Sequence, residues 1–365
     1  MKNKIEWLVR KQILNMKEIN WGDIPDDTPF RLLWGENQQV LDVYRKAIVN
    51  EIDKINLYPS PTKLKLREKI ARYNKVRSDN VLVTNGSDEA LELIAKVFIE
   101  ENDEVITAIP SFPVYLSVSV MMGAKIISVP LNSNFELDID KLLRRVNSKT
   151  KIIWIANPNN PTGNILLSIV QIKRILEKIE CILVIDECYF ELTNISAKKL
   201  IKRYPNLIIT RSFTKIFALG GVRLGYILAD VRTVSYLSRL QQNNQAFNVN
   251  RFAIAAGIAI LDKPQLIKKS IDDFIRSKDN FESLLKEIPS LKIICTKTTF
   301  CLLKLPEQIS AGELKKELAE KNIFIKDCSM YKNLGKQYMY LGIPLIKYQK
   351  QVVRIIKNIM EEKIC

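Results

Sequence analysis

The segment RSFTKIFALGGVRLG (211–225) places a lysine among hydroxyl groups, two glycines and an arginine, directly after an apolar run. The apolar run predicts a buried strand, so Lys215 is expected beyond the carboxyl end of a sheet, where open α/β sheets bind ligands. Ser212, Thr214 and Arg223 offer the donors that hold phosphate groups. A lysine beside a phosphate site, in a pocket that lowers its pKa, is suited to a Schiff base. Taken alone, the lysine could equally be a solvated surface group.

The same pattern of a short apolar strand followed by a longer helical segment recurs through the first two thirds of the chain. Helical spacing of apolar residues is clear at 88–103 and 168–180. This alternation predicts an α/β fold, with a three-layer α/β/α large domain built on a mostly parallel sheet. The predicted strands are 80–84, 104–109, 125–130, 151–157, 181–187, 206–212 and 224–230.

The pattern changes after residue 230. A long helical stretch (231–288) precedes strand-like runs within 291–306, a helix at 311–322, a strand at IFIKDC and a terminal helix from about 346. We therefore expect a smaller α+β C-terminal domain. The predicted organisation has three parts: an N-terminal arm (1–35) that packs on the small domain, a large cofactor-binding domain (36–245) and a small domain (246–365).

Polar residues also follow other predicted strands. Asp186 ends the run CILVI, and a buried carboxylate there requires a cationic partner, although a helix cap is an equally common role. Tyr189 follows three residues later. NPNNPTG (157–163) has the composition of a turn, from which the amide of Asn160 could donate a hydrogen bond.

Two further segments complete this set. NGSDEA (85–90) follows a strand and opens a helix, so Ser87 and Asp88 lie near an N-terminus that can bind an anion. Phe112 follows another strand, where it could stack on an aromatic ring or belong to the core. Together the segments supply an imine-forming lysine, a carboxylate for a pyridine nitrogen, a donor for a ring oxygen and an arginine for a phosphate. A pyridoxal phosphate (PLP) enzyme requires these groups.

The composition excludes several other kinds of chemistry. The chain of 365 residues contains no histidine, so a Ser-His-Asp triad and histidine-ligated zinc are ruled out, and no metal site is expected. The formal net charge is +16, but the basic residues are dispersed among acidic ones, which disfavours nucleic-acid binding and favours anionic small molecules. No apolar run reaches the length of a membrane span. Six cysteines without CxxC spacing predict free thiols in a reducing cytoplasm.

The ordered motifs resemble fold-type-I PLP enzymes and, among these, the histidinol-phosphate aminotransferase family. The similarity runs over nearly the whole chain, from RLLWGEN (31–37) and YPSPTKLKLREKIA (58–71) to FNVN (247–250). It implies that Lys215 binds the cofactor and moves the proton between Cα and the cofactor. It also implies that Tyr58 reaches the cofactor phosphate of a second subunit, in a homodimer with shared active sites.

The remaining roles implied by the resemblance concern the cofactor. Asp186 would pair with the pyridine nitrogen, and Asn160 and Tyr189 would hydrogen-bond the ring oxygen. Phe112 would stack on the ring. The phosphate would be held by Ser87, Asp88, Ser212, Thr214 and Arg223.

The chain departs from the family near its C-terminus. Relatives carry a substrate-anchoring arginine in a late strand, whereas here Tyr338 or Tyr340 occupies that position, and no arginine occurs from 277 to 353. Lys326 occupies the position where a second arginine is expected. Two functions remain open: an aminotransferase for a small phosphorylated amine and ketone, such as serinol phosphate and dihydroxyacetone phosphate, or a phospho-amino-acid decarboxylase, which KDCSMYKNL (326–334) resembles.

Overall fold

The computed structural model describes residues 4–16, 18, 24–294 and 296–364. Its larger sheet has seven strands in the order β1-β7-β6-β5-β4-β2-β3. Strand β7 runs antiparallel to the others, which are parallel to one another. The strands are β1 (Val81–Thr84), β2 (Glu104–Ile109), β3 (Lys125–Pro130), β4 (Thr150–Ala156), β5 (Ile182–Asp186), β6 (Leu207–Ser212) and β7 (Gly225–Ala229).

Helices cover both faces of this sheet. Within β4, Ile153 and Ile155 belong to one buried cluster, while Ile152 and Trp154 belong to another on the opposite face. Side chains alternate across a strand, so burial on both faces produces the nearly continuous apolar runs seen in the sequence. The predicted three-layer α/β/α arrangement is therefore confirmed.

The α-helices between and after these strands follow the predicted alternation. In the described part of the chain they are α1 (Lys11–Leu14), α2 (Asp42–Val49), α3 (Leu64–Asn74), α4 (Gly86–Phe98), α5 (Val114–Met121), α6 (Ile139–Leu143), α7 (Ile169–Leu176), α8 (Val231–Gln245), α9 (Arg251–Leu261), α10 (Pro264–Leu285), α11 (Ala311–Glu320) and α12 (Ile346–Ile364). None of these helices has both the length and the apolar character needed to cross a membrane.

A second sheet of four antiparallel strands lies in the C-terminal third, in the order β10-β11-β9-β8. Its core is separate from those of the larger sheet and includes α10, α11 and α12. This confirms the smaller α+β unit. Its strands are β8 (Lys292–Ile294), β9 (Phe300–Lys304), β10 (Lys326–Asp327) and β11 (Tyr338–Gly342).

The long helical stretch predicted over 231–288 is three helices rather than one. The chain leaves helical geometry after α8, where Asn250 caps α9 through a bond from the Ala253 N–H, and again before Pro264. A proline at the first helical position lacks the N–H that a continuous helix would require, so α10 starts anew there. The predicted strand at IFIKDC is likewise reduced to two residues.

The N-terminal segment contacts both parts of the molecule. The N–H of Leu32 donates to Phe324 O (2.8 Å), and the N–H of Gly342 donates to Leu32 O (2.6 Å), which joins residues 31–32 to the small sheet. Arg10 instead donates to Met121 O (2.7 Å) beside the larger sheet. The domain boundaries at 35 and 245 stay predictions.

Candidate active site

Lys215 lies three residues beyond the end of β6, at the carboxyl edge of the larger sheet. Its Nζ donates to Trp34 O (2.9 Å) and lies 5.9 Å from the centroid of the Tyr189 ring. Burial lowers the pKa of the ammonium group, because the charged form loses hydration. A lysine held in this way reaches its neutral, nucleophilic form at a lower pH than a solvated one.

Asp186 is the last residue of β5 and is 6% exposed. It accepts hydrogen bonds from Tyr115 Oη (2.7 Å) and from the Cys188 N–H (3.1 Å). Burial raises the pKa of the carboxyl group even though both donors oppose the shift. Among the described residues no lysine or arginine forms an ion pair with Asp186, so the carboxylate can receive a cationic ring nitrogen from a ligand.

The first turn of α4 and Arg223 lie together and form a polar corner beside the loop that follows β6 and carries Lys215. Helix α4 begins at Gly86, which has a φ of +75°, and Ser87 and Asp88 lie in its first turn. Arg223 donates to Asp88 Oδ2 (2.8 Å), and a Cβ atom on Gly86 would lie 2.8 Å from the Arg223 guanidinium. The unpaired N–H groups of a helix start and a guanidinium together form an anion site.

A second pair of hydroxyl groups adjoins this corner. Ser212 Oγ and Thr214 Oγ1 lie 2.7 Å apart, and the Thr214 N–H donates to Ser212 Oγ (3.1 Å). The thiol of Cys188 interacts with Ser87 in the first turn of α4 and is close enough to Lys215 for their charges to interact. The structure thus brings the predicted phosphate-binding residues and the lysine to one edge of the sheet.

Asn160 and Phe112 follow the neighbouring strands β4 and β2. The side-chain oxygen of Asn160 is buried and has no hydrogen-bond partner among the described residues. Because rotation of an amide exchanges its oxygen and nitrogen, this position can present either an acceptor or a donor to a ligand. The Phe112 ring meets the Tyr115 ring edge to face, with centroids 5.6 Å apart.

Aromatic side chains of the small sheet lie, together with Tyr189, on the other side of the loop that carries Lys215. Tyr189 and Tyr340 are buried and interact through their hydroxyl groups, and Tyr340 stacks on Phe300 with centroids 4.0 Å apart. The Tyr340 hydroxyl also lies against Gly35, next to the carbonyl that Lys215 contacts. Burial raises the pKa of both phenols, so each keeps its proton and can donate a hydrogen bond.

Tyr338 and Lys326 also come from this sheet. Tyr338 lies on the same face of β11 as Tyr340 but has different neighbours. Its ring centroid lies 6.0 Å from that of Phe135 and 5.7 Å from Lys304 Nζ. Lys326 Nζ donates to Tyr331 Oη (2.7 Å). Of the two tyrosines that align with the family's arginine, Tyr340 is therefore the one beside Tyr189.

Tyr58 is the predicted site residue that the single chain does not bring to the lysine. It is 79% exposed and stacks on Phe247, with ring centroids 4.6 Å apart. Ile55, Leu57 and Phe247, which line the same surface depression as Tyr58, are exposed apolar side chains as well.

Three residues of the site were missed by sequence reasoning. Tyr115, Cys188 and Tyr331 all lie within segments that carry other predicted residues. Tyr115 stands one helical turn after the start of the segment that contains Phe112, so a hydroxyl directed towards Asp186 was a readable signal. Nothing comparable indicates the contact of Tyr331 with Lys326, which depends on a turn.

The described residues contain no group of three or more histidine, cysteine or acidic side chains that could hold a metal ion. Cys181, Cys188 and Cys328 are free thiols, whereas Cys295 and Cys365 lie outside the described residues.

These features fit pyridoxal phosphate. Among the described residues, Asp186 has no cationic partner and the side-chain oxygen of Asn160 has no hydrogen-bond partner. Arg223 lies against Gly86 at the start of α4, where the helix N–H groups can bind an anion. A Cβ atom on Gly225 would lie 2.5 Å from the Gly86 carbonyl carbon, so this close approach also requires glycine. Lys215 follows β6, which pairs with β5, the strand that ends at Asp186.

Comparison with known proteins agrees with this geometry. The family model described as aminotransferase class I and II matches residues 31–334. A histidinol-phosphate aminotransferase from Caldanaerobacter subterraneus subsp. tengcongensis is 31% identical over 338 residues, covering 90% of this chain and 92% of that protein.

Solved structures share the fold. The histidinol-phosphate aminotransferase from Sinorhizobium meliloti, in complex with pyridoxal-5'-phosphate, superposes with a TM-score of 0.82 at 19% identity and covers 91% of each chain. The L-threonine-O-3-phosphate decarboxylase from Porphyromonas gingivalis superposes with a TM-score of 0.77 at 26% identity, covering 91% of this chain and 98% of that one. The chain therefore belongs to the class I and II aminotransferases, a family of pyridoxal-phosphate-dependent enzymes.

Proposed function

We propose that this enzyme transfers an amino group between a small phosphorylated amine and the corresponding ketone. Pairs of the type serinol phosphate and dihydroxyacetone phosphate, or a substrate like histidinol phosphate, satisfy this description. The carrying observation is Lys326, a partly buried ammonium group on the substrate side that has no carboxylate partner among the described residues. The named relative that is 31% identical acts on histidinol phosphate, which supports a phosphorylated substrate.

When bound, pyridoxal phosphate supplies an electron sink for the electron pair left at the substrate Cα. Asp186 would pair with the pyridine nitrogen and keep it protonated. Burial raises the pKa of this carboxyl group because its charge has no cationic partner among the described residues, and the protonated ring nitrogen would supply one. Asn160 and Tyr189 hydrogen-bond the ring oxygen, and Phe112 packs on the ring. The phosphate is held by Ser87, Asp88, Ser212, Thr214 and Arg223.

Lys215 performs the proton transfer in this proposal. In its neutral form, Nζ would accept the proton from the substrate Cα and would carry it to the cofactor. Burial lowers the pKa of this amine and so favours the neutral form that a general base requires. The hydrogen bond to Trp34 O orients the side-chain nitrogen of Lys215.

The substrate side lacks the bidentate guanidinium that the family uses. Tyr340 replaces it with a phenol that donates one hydrogen bond and carries no charge, because burial raises its pKa. Lys326 supplies the positive charge instead. A phosphate can be bound by a single ammonium group, which acts as a point charge. A carboxylate is matched better by the planar fork of a guanidinium.

A homodimer completes the site in this proposal. Tyr58 and its exposed apolar neighbours form a surface of the kind that marks a protein–protein interface. From there, Tyr58 reaches the cofactor phosphate of a second copy. The cytoplasmic location indicated by the cysteines remains a prediction.

Decarboxylation of a phospho-amino acid is the second candidate function. It is favoured by the segment KDCSMYKNL (326–334) and by the structural likeness to the threonine-phosphate decarboxylase, at 26% identity. O-phosphoserine or O-phosphothreonine would be the substrate. The two functions differ in the bond that is broken at Cα, so they can be separated by their products.

A single-turnover experiment tests both candidates. Purified holoenzyme is mixed separately with serinol phosphate, histidinol phosphate, O-phosphoserine and glutamate, and cofactor absorbance and products are followed. Conversion of the cofactor to its amine form, with a keto product from a phosphorylated amine, is expected. Release of carbon dioxide from O-phosphoserine with the aldehyde form retained would establish the decarboxylase instead.

A further inference from the structure

Lys326 is an ammonium group that forms no ion pair with an acidic side chain of the described residues. The neighbouring carboxylate of Asp327 faces the other way along β10 and accepts from the N–H and the hydroxyl of Ser329, both at 2.8 Å. Burial lowers the pKa of Lys326, and Lys215 lowers it further. Two lysines therefore repel one another across the site, which is an arrangement that a bound anion would relieve.

The only hydrogen bond that Lys326 donates to a described residue goes to Tyr331. Nζ lies 2.7 Å from Tyr331 Oη and 4.9 Å from the centroid of its ring. An ammonium group has three N–H donors, so two are left for a ligand. The phenol accepts from the lysine and retains its own proton, because burial raises its pKa. Its O–H is thus a further donor at the same place.

The surroundings strengthen any charge interaction here. Tyr331 is 5% exposed and shares one buried cluster with Tyr189, Phe300 and Tyr340. Aromatic walls of this kind exclude water and lower the local dielectric constant, so a charged hydrogen bond contributes more than it would at the surface.

We propose that Lys326 and Tyr331 act together as the phosphate-binding pair of the substrate site, with Tyr331 as a residue that determines specificity. The pair replaces the guanidinium that the chain lacks: the ammonium supplies the charge, and the phenol supplies a second, directed donor. This assignment rests on the proposed function, since it names the part of the protein that recognises the phosphorylated substrate.

The competing explanation is that the contact only fastens the turn that follows β10. The backbone already holds this turn, because the N–H of Tyr331 donates to Cys328 O (3.0 Å) and the N–H of Leu334 donates to Tyr331 O (3.1 Å). Removing the phenolic oxygen alone leaves these bonds and the packing of the ring in place. Tyr331→Phe therefore separates recognition from folding.

The test measures ligand binding to holoenzyme, in which the cofactor already fills its own phosphate site. Isothermal titration calorimetry with glycerol 1-phosphate, which has no amine, is compared with titration of glycerol and of glycerate. Tyr331→Phe should weaken glycerol 1-phosphate about tenfold, and Lys326→Met about 10- to 100-fold. Matched controls in the same small domain, Tyr348→Phe and Lys292→Met, should bind as the wild type does. Glycerol should not bind measurably, and glycerate should bind more weakly than the phosphate ester.

Glycerol 1-phosphate binding that is unchanged in Tyr331→Phe, with an unchanged melting temperature, would overturn the proposal. Tighter binding of glycerate than of glycerol 1-phosphate to the wild type would also overturn it. If Lys326→Met does not fold, the tyrosine variant still decides the question. A single-turnover assay with serinol phosphate separates the two levels. Wild-type turnover without any effect of Tyr331→Phe on binding leaves the aminotransferase proposal standing and rejects only the binding pair.

Discussion

The loop that follows β6 and carries Lys215 has two sides that are built in different ways. We call the side toward the larger sheet the cofactor side and the side toward the small sheet the substrate side. On the side of the larger sheet, the polar groups come from the ends of consecutive strands, and Arg223 is paired with Asp88 while Asp186 receives two hydrogen bonds. On the side of the small sheet, the walls are aromatic, and Lys326 has no acidic partner among the described residues.

This contrast separates the chemistry from the selection of the substrate. In the proposed function, the cofactor side carries the groups that every reaction of the cofactor requires, and the motifs that resemble the family contain these groups. In the same proposal, the substrate side carries what is particular to this chain, with Tyr340 and Lys326 at the positions where the resemblance predicts arginines. Breaking the cofactor side should abolish turnover, whereas breaking the substrate side should change affinity.

The largest effect is expected for Lys215→Ala. Loss of the amine removes both the covalent attachment of the cofactor and the proton carrier at Cα, so activity should fall by about 10⁴-fold or more. Initial rates are measured together with borohydride reduction and peptide mass spectrometry, which should find the cofactor on Lys215 in the wild type. The surface variant Lys173→Ala serves as the control. Retention of full activity by Lys215→Ala would refute the assignment.

Asp186→Asn should follow in size. The substitution keeps the shape of the side chain and removes its charge, so the pyridine nitrogen loses the partner that keeps it protonated. We expect kcat to decrease by about 10²- to 10³-fold. Tyr115→Phe, which leaves the carboxylate in place, should have a smaller effect on the same measurement. Equal rates for Asp186→Asn and the wild type would show that the cofactor side does not depend on this carboxylate.

A third test concerns the support beneath the cofactor side. Glu191 is 3% exposed, and burial raises its pKa from 4.5 to about 7, although Arg211 opposes the shift. The folded state then binds a proton that the unfolded state releases above pH 4.5. Stability from this group is therefore complete below pH 4.5 and is lost as the pH rises through about 7.

The expected loss is on the order of 3 kcal/mol, or about 300-fold in the folding equilibrium. Urea unfolding between pH 4.5 and 8 measures it in the wild type and in Glu191→Gln, which cannot ionise. The variant should show a flatter pH dependence over this range. Parallel curves for the two proteins would show that Glu191 titrates at its ordinary pKa in the folded state.

The smallest effect is expected for Tyr58→Ala. If a second copy completes the cofactor side, loss of this phenol removes one hydrogen bond to the phosphate and weakens cofactor binding by about tenfold. Titration of the apoenzyme with pyridoxal phosphate, followed by fluorescence, measures the change, and sedimentation reports the oligomeric state. Tyr236→Ala provides an exposed control on α8. Unaltered cofactor affinity in a dimeric Tyr58→Ala protein would confine the cofactor side to one chain.

Much of the larger sheet is predictable because its strands are short, apolar and buried on both faces. Each of the seven predicted strands matches the structure to within one residue at either end. The C-terminal part is less predictable. Breaks after α8 and before Pro264 interrupt an apolar helical pattern that continues through them, since local spacing does not report where a chain turns to pack on another sheet.

The residues proposed to bind the cofactor could be identified from the sequence for a related reason. Parallel strands present their carboxyl ends at the same edge of a sheet, so residues that follow different strands converge without any need for side-chain detail. The order of Asn160, Asp186 and Lys215 along the chain therefore carried chemical meaning before the fold was known.

The substrate side depends on side-chain contacts that no local sequence pattern predicts. Tyr338 and Tyr340 point to the same face of β11, so alternation could not distinguish them, and only packing against Gly35 and Tyr189 selects Tyr340. The bond from Lys326 to Tyr331 likewise requires a turn and the burial of both side chains. Local patterns of apolar and polar residues thus establish the sheet, the lysine and the cofactor. The arrangement that selects a substrate arises from long-range packing, because burial and side-chain contacts there come from segments far apart in the chain.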